Sequence, residues 1–349
     1  SKSHRLFSFI LMLVFLAGAS YSGYSFINNF LEGKEMREKT IELNREYEDS
    51  PFLSVTKADL IIKHSAEILE GNAELTCLNR LDKPLEEYIL SLNPELIIDK
   101  LEINGVPNGF ERKRHLLIIQ ADKALVPGDS VRINLSYKGT LNEEYCYPWF
   151  DGDLKENEQR IGPVPVSQRQ VILTEKYAVL TPEVNWYPVA SLNYYPSNPA
   201  RIKVDFTEYN LKVETSKDNL TAISQGRYSR QGAYSCFSSE SLLSGLSLII
   251  GDYACDSLRV DSILFAAWYK PGNDFFKNDL NESGDTLELL ISSSLEELET
   301  TFKTAYPFKS LNLIEVPVQF RSIEKKNTQT LAEVQPGMIL LPERLGTMN

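Results

Sequence analysis

Histidine is scarce in this chain. The 349 residues contain three, His4, His64 and His115. They lie far apart, and none belongs to a pair at i, i+4, the spacing that puts two imidazoles on one helical face around a metal with a Glu between them as base. All three are read as surface or sheet residues. Cysteine offers no substitute, because Cys77, Cys146, Cys236 and Cys255 form no C-x-x-C pair, which argues against a thiolate zinc site. The G-x-S-x-G elbow, the P-loop and the G-x-G-x-x-G fingerprint are absent too. Basic residues are outnumbered, 36 against 48 acidic, for a net charge of -12 and a pI near 5.0. With no basic block there is no footprint for a nucleic acid. The acidic balance favours solubility and carries no information about fold.

What is present bounds the rest. The length suits about two domains at roughly 150 residues each, and 42% hydrophobic residues can fill a substantial core. The chain starts at Ser1 rather than Met and ends on LGTMN, so we expect a piece of a longer protein. Four cysteines allow three full pairings. Cys236 and Cys255 lie in apolar runs that read as neighbouring strands, so a disulfide there and buried free thiols are both open. Asn134, Asn219 and Asn281 each begin an N-x-Ser/Thr sequon, which matters only in a eukaryotic secretory pathway.

From Leu6 to Leu31 there is no charged residue. A bilayer needs about 20 apolar residues, so this span is long enough for a membrane anchor. Lys2 and Arg5 precede it, which puts the N-terminus on the cytoplasmic side and the body outside. Ala17-Gly18-Ala19 also fits a signal-peptide cleavage site, and both readings export the remainder of the chain. Residues 32–49 (EGKEMREKTIELNREYED) are charge-dense and proline-free. Glu35 and Lys39 form an attractive i, i+4 pair. A juxtamembrane stalk helix is expected, closed by Ser50-Pro51.

The texture changes at Phe52. Ala58–His64, Ala73–Asn79, Leu85–Leu92, Leu101–Ile103, His115–Ala121 and Ser130–Tyr137 are short, branched segments separated by turn signals, a pattern of antiparallel sheet or sandwich. Asn104-Gly105 predicts a hairpin turn, and Val126–Asp129 a second turn. The segment Thr181–Tyr195 (TPEVNWYPVASLNYY) is dense in aromatics beside prolines and reads either as a loop packed onto a sheet edge or as a binding surface. Further strands are expected at Ile202–Val213, Leu220–Arg227, Ser241–Tyr253 and Ser262–Tyr269. The period then switches. Leu287, Leu290, Ile291, Leu295, Leu298 and Phe302 make a helical stripe within Asp285–Ala305, followed by strands at Leu311–Phe320 and Gly337–Leu341. A long β region followed by mixed α and β argues for two domains.

Several of these segments, in this order, resemble the aminopeptidase N-like zinc metallopeptidases. Ile202–Val213 with Leu220–Gly226 (LTAISQG), Leu242–Tyr253, Lys270–Gly272 (KPG), Tyr306-Pro307 and Leu311–Pro317 resemble successive pieces of that family, and the likeness extends over residues 52–343. It implies a mainly β fold with α/β at the C-terminus. Its parts would be a transmembrane anchor (1–31), a stalk (32–51), an antiparallel β-saddle or sandwich domain (52–272) and the beginning of a thermolysin-like catalytic domain (273–349). The order of membrane span, acidic stalk and β domain also resembles Bacteroidetes-type fusions of an ABC-transporter permease to an aminopeptidase-like domain. That implies an inner-membrane protein with a periplasmic domain, whose partners are the membrane, a peptide substrate or ligand, and transporter subunits.

The family's HExxH motif is absent from this chain. The resemblance therefore implies zinc in a complete parent but no zinc ligands and no catalytic residues here, so the chain alone is expected to be inactive. The alternative is a non-catalytic peptide-binding or interaction module of a membrane transporter. The family also binds the substrate's amino terminus through the Glu of a GxMEN strand. Aligning Gly337–Glu343 with the family places Leu331–Gln335 (LAEVQ) on that motif, with Val334 at the Glu position and Glu333 one residue early. One residue on a strand reverses the face. Either a bulge restores Glu333 as a substrate contact or amino-terminal recognition is lost. Glu183, in the aromatic segment, is a second candidate substrate contact.

Overall fold

The structure, a computed structural model, describes residues 2–149, 159–161, 164–166, 169–201, 203–274, 277–320 and 332–343. Its centre is an eight-stranded sheet in the order Arg227–Gln231, Tyr234–Ser238, Glu208–Glu214, Ser54–Ser65, Ile68–Leu78, Ser130–Gly139, Leu96–Ile103, Val106–Pro107. Strict alternation makes it two-faced. Across six strands, Leu101, Leu135, Ala73, Leu60, Leu211 and Phe237 stand in one register row, and all are buried. The adjacent row, Glu102, Asn134, Glu74, Asp59, Asn210 and Ser238, is polar and faces outward.

Two smaller sheets cover the apolar face, and each is itself covered on its other side. In the four-stranded sheet (Ile172–Leu173, Ala178–Leu180, Leu248–Gly251, Thr221–Ser224), Ala178, Leu180, Ala222, Leu248 and Ile250 join the main core. Alternate residues Ile172, Val179, Ile223 and Ile249 join a second cluster with Ile314, Val316, Met338 and Leu340. Burial on both faces is why Leu248–Ile250 reads as an unbroken apolar run. The three-stranded sheet (Leu85–Ser91, Leu116–Leu125, Glu111–Lys113) does the same, giving Tyr88, Leu90, Leu117 and Ile119 to the core, and Ile89 and Leu116 to its back.

The C-terminal portion is a five-stranded mixed sheet in the order Ala254–Val260, Ile263–Tyr269, Ser310–Val316, Met338–Pro342, Glu333–Gln335. A helix, α2 (Lys277–Phe302), forms the crossover between the parallel strands Ile263–Tyr269 and Ser310–Val316. This is mainly β with α/β at the C-terminus, as the sequence indicates.

Several details differ from expectation. The strand expected over Ile202–Val213 begins only at Glu208, and residue 202 lies outside the described set. Lys203 and Asp205 instead satisfy backbone groups of other segments. The strand expected over Ser241–Tyr253 shrinks to Leu248–Gly251. Glu208–Glu214 pairs parallel with Ser54–Ser65, although each of these strands is antiparallel to its neighbour on the other side. Cys236 and Cys255 lie in different sheets and all four cysteines are free thiols, three of them buried and Cys255 exposed. The Asn104-Gly105 turn is present, with both residues at positive φ of 51° and 81°, as a type I′ hairpin requires.

Gly226 carries the chain from the four-stranded sheet into the eight-stranded one. Its φ is +94°, and a Cβ there would stand 2.3 Å from Ser238 O. Gly226→Ala therefore combines left-handed backbone with a backbone clash, and should cost roughly 2–4 kcal/mol. A lower urea midpoint at unchanged m-value would show it, whereas an unfolding free energy within about 0.3 kcal/mol of wild type would contradict it.

At the N-terminus one unbroken helix, α1, runs Lys2–Tyr47. Its first part is long and apolar enough to cross a membrane, and none of its apolar window is buried. Its second part is not a free stalk. Gly33, Arg37, Thr40 and Asn44, at spacings of four, three and four, form a face buried against the β body. Arg37 forms an ion pair with Glu144. A Cβ on Gly33 would lie 2.9 Å from the Glu144 carboxyl carbon, so a larger residue would require the Glu144 side chain to shift. Leu43 and Tyr47 pack onto Phe52, Ile89, Leu116, Leu192 and Tyr195, the back of the three-stranded sheet. Just past the helix, Glu48 accepts hydrogen bonds from Ser197 N–H (3.0 Å) and its hydroxyl, which hold its carboxyl below the usual range.

Candidate functional site

The aromatic segment builds the largest part of a cavity of about 240 Å³. Thr181 is extended, Pro182–Val184 form one 3-10 turn, and Asn185 closes it in the left-handed region (φ 49°, ψ 46°) with its N–H on Pro182 O. Asn tolerates that conformation better than most residues. Asn93 clamps the turn from outside, its backbone N–H donating to Asn185 O (2.9 Å) and its amide to Val184 O (3.0 Å). Trp186 is fully buried, edge-on to Tyr187 at 4.7 Å between ring centroids. The Tyr187 hydroxyl accepts Leu246 N–H (2.9 Å) and lies 3.4 Å from the Tyr209 hydroxyl. The aromatic density therefore both packs the loop and shapes a pocket. Trp186 and Tyr187 anchor the loop, and the anchored loop presents Glu183 and Asn185 to the cavity.

The lining is mixed in character. Glu183, Asn185, Asn193, Trp149 and Ser244 meet Gln335 from the far sheet at one side, with Lys203 and Asp205 also in the wall. Two of these residues carry a buried polar atom with no partner among the described residues: Glu183 Oε2 has no donor and Trp149 Nε1 no acceptor. Buried polar atoms are nearly always paired, so these two wall residues each retain hydrogen-bonding capacity that no described residue uses. Lys203 is tied to the wall. Its ammonium donates to Leu53 O (3.0 Å) and Ala190 O (2.7 Å) and lies 4.8 Å from the Phe52 ring centre. Burial pulls its pKa down to about 8, with Asp205 working in the opposite direction.

The two residues singled out in the sequence fall differently. Glu183 lines the cavity. Glu333 reaches it through a neighbour, accepting a hydrogen bond from Gln335 Nε2 (2.7 Å), and Gln335 is the residue in the lining. The register Glu333↔Leu340, Val334↔Ile339, Gln335↔Met338 is continuous, so no bulge interrupts Glu333–Gln335. Val334 points the other way and is 70% exposed. Residue 331 of the motif-aligned segment lies outside the described set. Gln335 was open to a simpler reading, since period two puts it on the face of Glu333. Asn193 shares the aromatic segment with Glu183, whereas Trp149 and Lys203 carried no such signal.

Two histidines are committed elsewhere. His64, on the strand Ser54–Ser65, places Nε2 2.7 Å from Thr174 O, and burial lowers its pKa. His115 is not in a strand. It sits fully buried in the turn before Leu116, beneath α1. For His4 only the helical backbone is described. Among the described residues no three His, Cys, Asp or Glu side chains group to hold a metal.

No family model matches the sequence, and no curated protein matches it. The fold, however, is found among solved structures. An M1 zinc metallopeptidase from Deinococcus radiodurans superposes with a TM-score of 0.56 at 16% identity, over 83% of this chain and 60% of the other. A mutant of that enzyme bound to a Tyr-Ser-Ala substrate gives the same values. A mutant two-domain M1 zinc metallopeptidase bound to L-tryptophan gives 0.57 at 15% identity, over 84% and 61%. At these identities the likeness establishes a shared fold. The chain spans about 60% of the length of the enzymes it matches.

Proposed function

We propose that this chain is the membrane-anchored, extracytoplasmic part of an aminopeptidase-like metallopeptidase, and that its cavity receives the free amino terminus of a peptide. The observation that carries the reading is the pair of wall residues Glu183 and Trp149, each with a polar atom that has no partner among the described residues. A peptide's first residue supplies an ammonium for the carboxylate and a carbonyl for the indole N–H. Gln335, held by Glu333, adds a further amide. The shared fold with M1 zinc metallopeptidases supports the same reading. Zinc-dependent hydrolysis would need ligands from outside the described residues. In the anchored protein α1 crosses the membrane, the body lies on its periplasmic face, and the parent is of the permease-fusion type.

A second reading, a peptide-capture or interaction module of a transporter without hydrolysis, draws on Val334, exposed where the family's strand carries its Glu. Turnover of an aminoacyl chromogenic substrate, abolished by chelator, would exclude it for this chain.

Calorimetry on the full chain in detergent tests the binding itself. Tri-alanine with a free amino terminus should bind, N-acetylation should weaken it, and Glu183→Gln should cost about 10- to 100-fold, the worth of one charge-assisted hydrogen bond. Equal affinity for free and acetylated peptide would remove the basis of the proposal.

A further inference from the structure

The docked half of α1 and the cavity wall share one closed polar circuit. Asn44, on α1, has no exposed surface. Its Oδ1 faces His115 Nε2 at 2.8 Å, and its Nδ2 donates to Asn193 Oδ1 (3.0 Å) and Tyr194 O (2.8 Å). Asn193 Nδ2 donates in turn to Tyr145 O (2.9 Å), and the Tyr145 ring lies 4.9 Å from the His115 ring, which closes the loop. The Tyr145 hydroxyl accepts Asn185 Nδ2 at 2.8 Å. Asn185 and Asn193 both line the cavity, so the circuit joins α1 to the wall at two residues.

We propose that Asn44 is a positioning residue for the cavity, and that docking of α1 and occupancy of the cavity are thermodynamically linked through this circuit. The inference of what occupies the cavity rests on the amino-terminus reading; the linkage between Asn44 and Asn185 does not. The physical reason is that buried polar atoms have few alternatives. If α1 lifts away, Asn193 loses the partner that fixes its amide, and His115 Nε2 loses its acceptor in the protein interior. If a ligand holds Asn185 and Asn193 in place, Tyr145 and His115 are held too, and α1 meets a preformed socket. Linkage is reciprocal, so the helix that carries the apolar span favours the bound cavity by the factor by which the bound cavity favours docking.

The test is a double-mutant cycle on the full chain in detergent, read by amide hydrogen exchange in residues 37–47. Asn185 makes no contact with α1 in the circuit, and Asn185→Gly keeps its left-handed backbone accessible. Asn185→Gly should accelerate exchange in this stretch about fivefold, Asn44→Leu about tenfold, and the double variant well short of the product, because residues of one network are not additive. Unchanged exchange in Asn185→Gly, or a double variant at the full product, overturns the proposal. If Asn44→Leu does not fold, the Asn185→Gly arm decides alone. Saturating tri-alanine should slow exchange at 37–47 about threefold or more in the unsubstituted chain, and binding without such slowing also overturns it. If tri-alanine does not bind, the amino-terminus reading fails while the peptide-free cycle still decides the linkage.

Discussion

Arg37→Ala should release the docked half of α1 from the β body. Arg37 and Glu144 expose 8% and 15% of their side chains, so the pair sits largely out of water. Breaking an ion pair with so little exposure costs about 3–5 kcal/mol, whereas replacing both partners by apolar groups is often neutral. Hydrogen exchange over residues 33–47 should accelerate by two orders of magnitude or more in Arg37→Ala. The paired replacement Arg37→Met with Glu144→Leu should recover most of the protection. Equal exchange in wild type and Arg37→Ala would mean that the ion pair does not hold the helix.

Acidification should unlock the same interface from His115. Its pKa is lowered to about 3, first by burial and then by the nearby Arg112 and Arg114. Nε2 donates to Asn44 in the neutral tautomer that the contact implies, and Nδ1 is buried with no partner among the described residues. A second proton would thus enter a buried site with two guanidiniums nearby. The unfolded chain takes up that proton near pH 6.5, and the native state refuses it until about pH 3. Between these values the unfolded state binds more protons, so stability falls as pH falls, by roughly 1.4 kcal/mol per unit and about 4–5 kcal/mol in all. Well above pH 6.5 this contribution is constant. His115→Gln keeps a donor for Asn44 and removes the titration. Urea midpoints from pH 7 to pH 4 should therefore fall more steeply in wild type than in the variant, and parallel slopes would sink the assignment. Glu48, whose carboxyl is held low by Ser197, loses stability in the same direction in both proteins and drops out of the difference.

How far the sequence could be read depends on what each residue pairs with. Ser54–Ser65 and Ser130–Gly139 announce themselves because one face is apolar and one polar. The turns at Asn104-Gly105 and Val126–Asp129 are legible for the same local reason. The parallel pairing of Ser54–Ser65 with Glu208–Glu214 spans some 150 residues, and nothing local encodes it. Arg37, Thr40 and Asn44 look like the solvated side of a charged helix, yet they are its buried face, because the groups that Arg37 and Asn44 meet, Glu144, His115, Asn193 and Tyr194, come from distant loops. Of the cavity, Glu183 was accessible through its aromatic neighbourhood. Lys203 was hidden inside what reads as a strand, and Trp149 lies outside every segment read from the sequence.

The continuity of α1 gives the molecule an angular phase. Its 46 residues make a rod of about 70 Å, with no proline in it and no break between the apolar span and the docked face. The azimuth at which the β body, and so the cavity mouth, faces around the helix axis is therefore set by residue count. One residue inserted near Leu31 would swing the body by about 100° about the axis, while seven would return it to within about 20° and lift it two turns. The direction in which the cavity looks is written in the spacing between Tyr24 and Arg37 as much as in the fold that forms it.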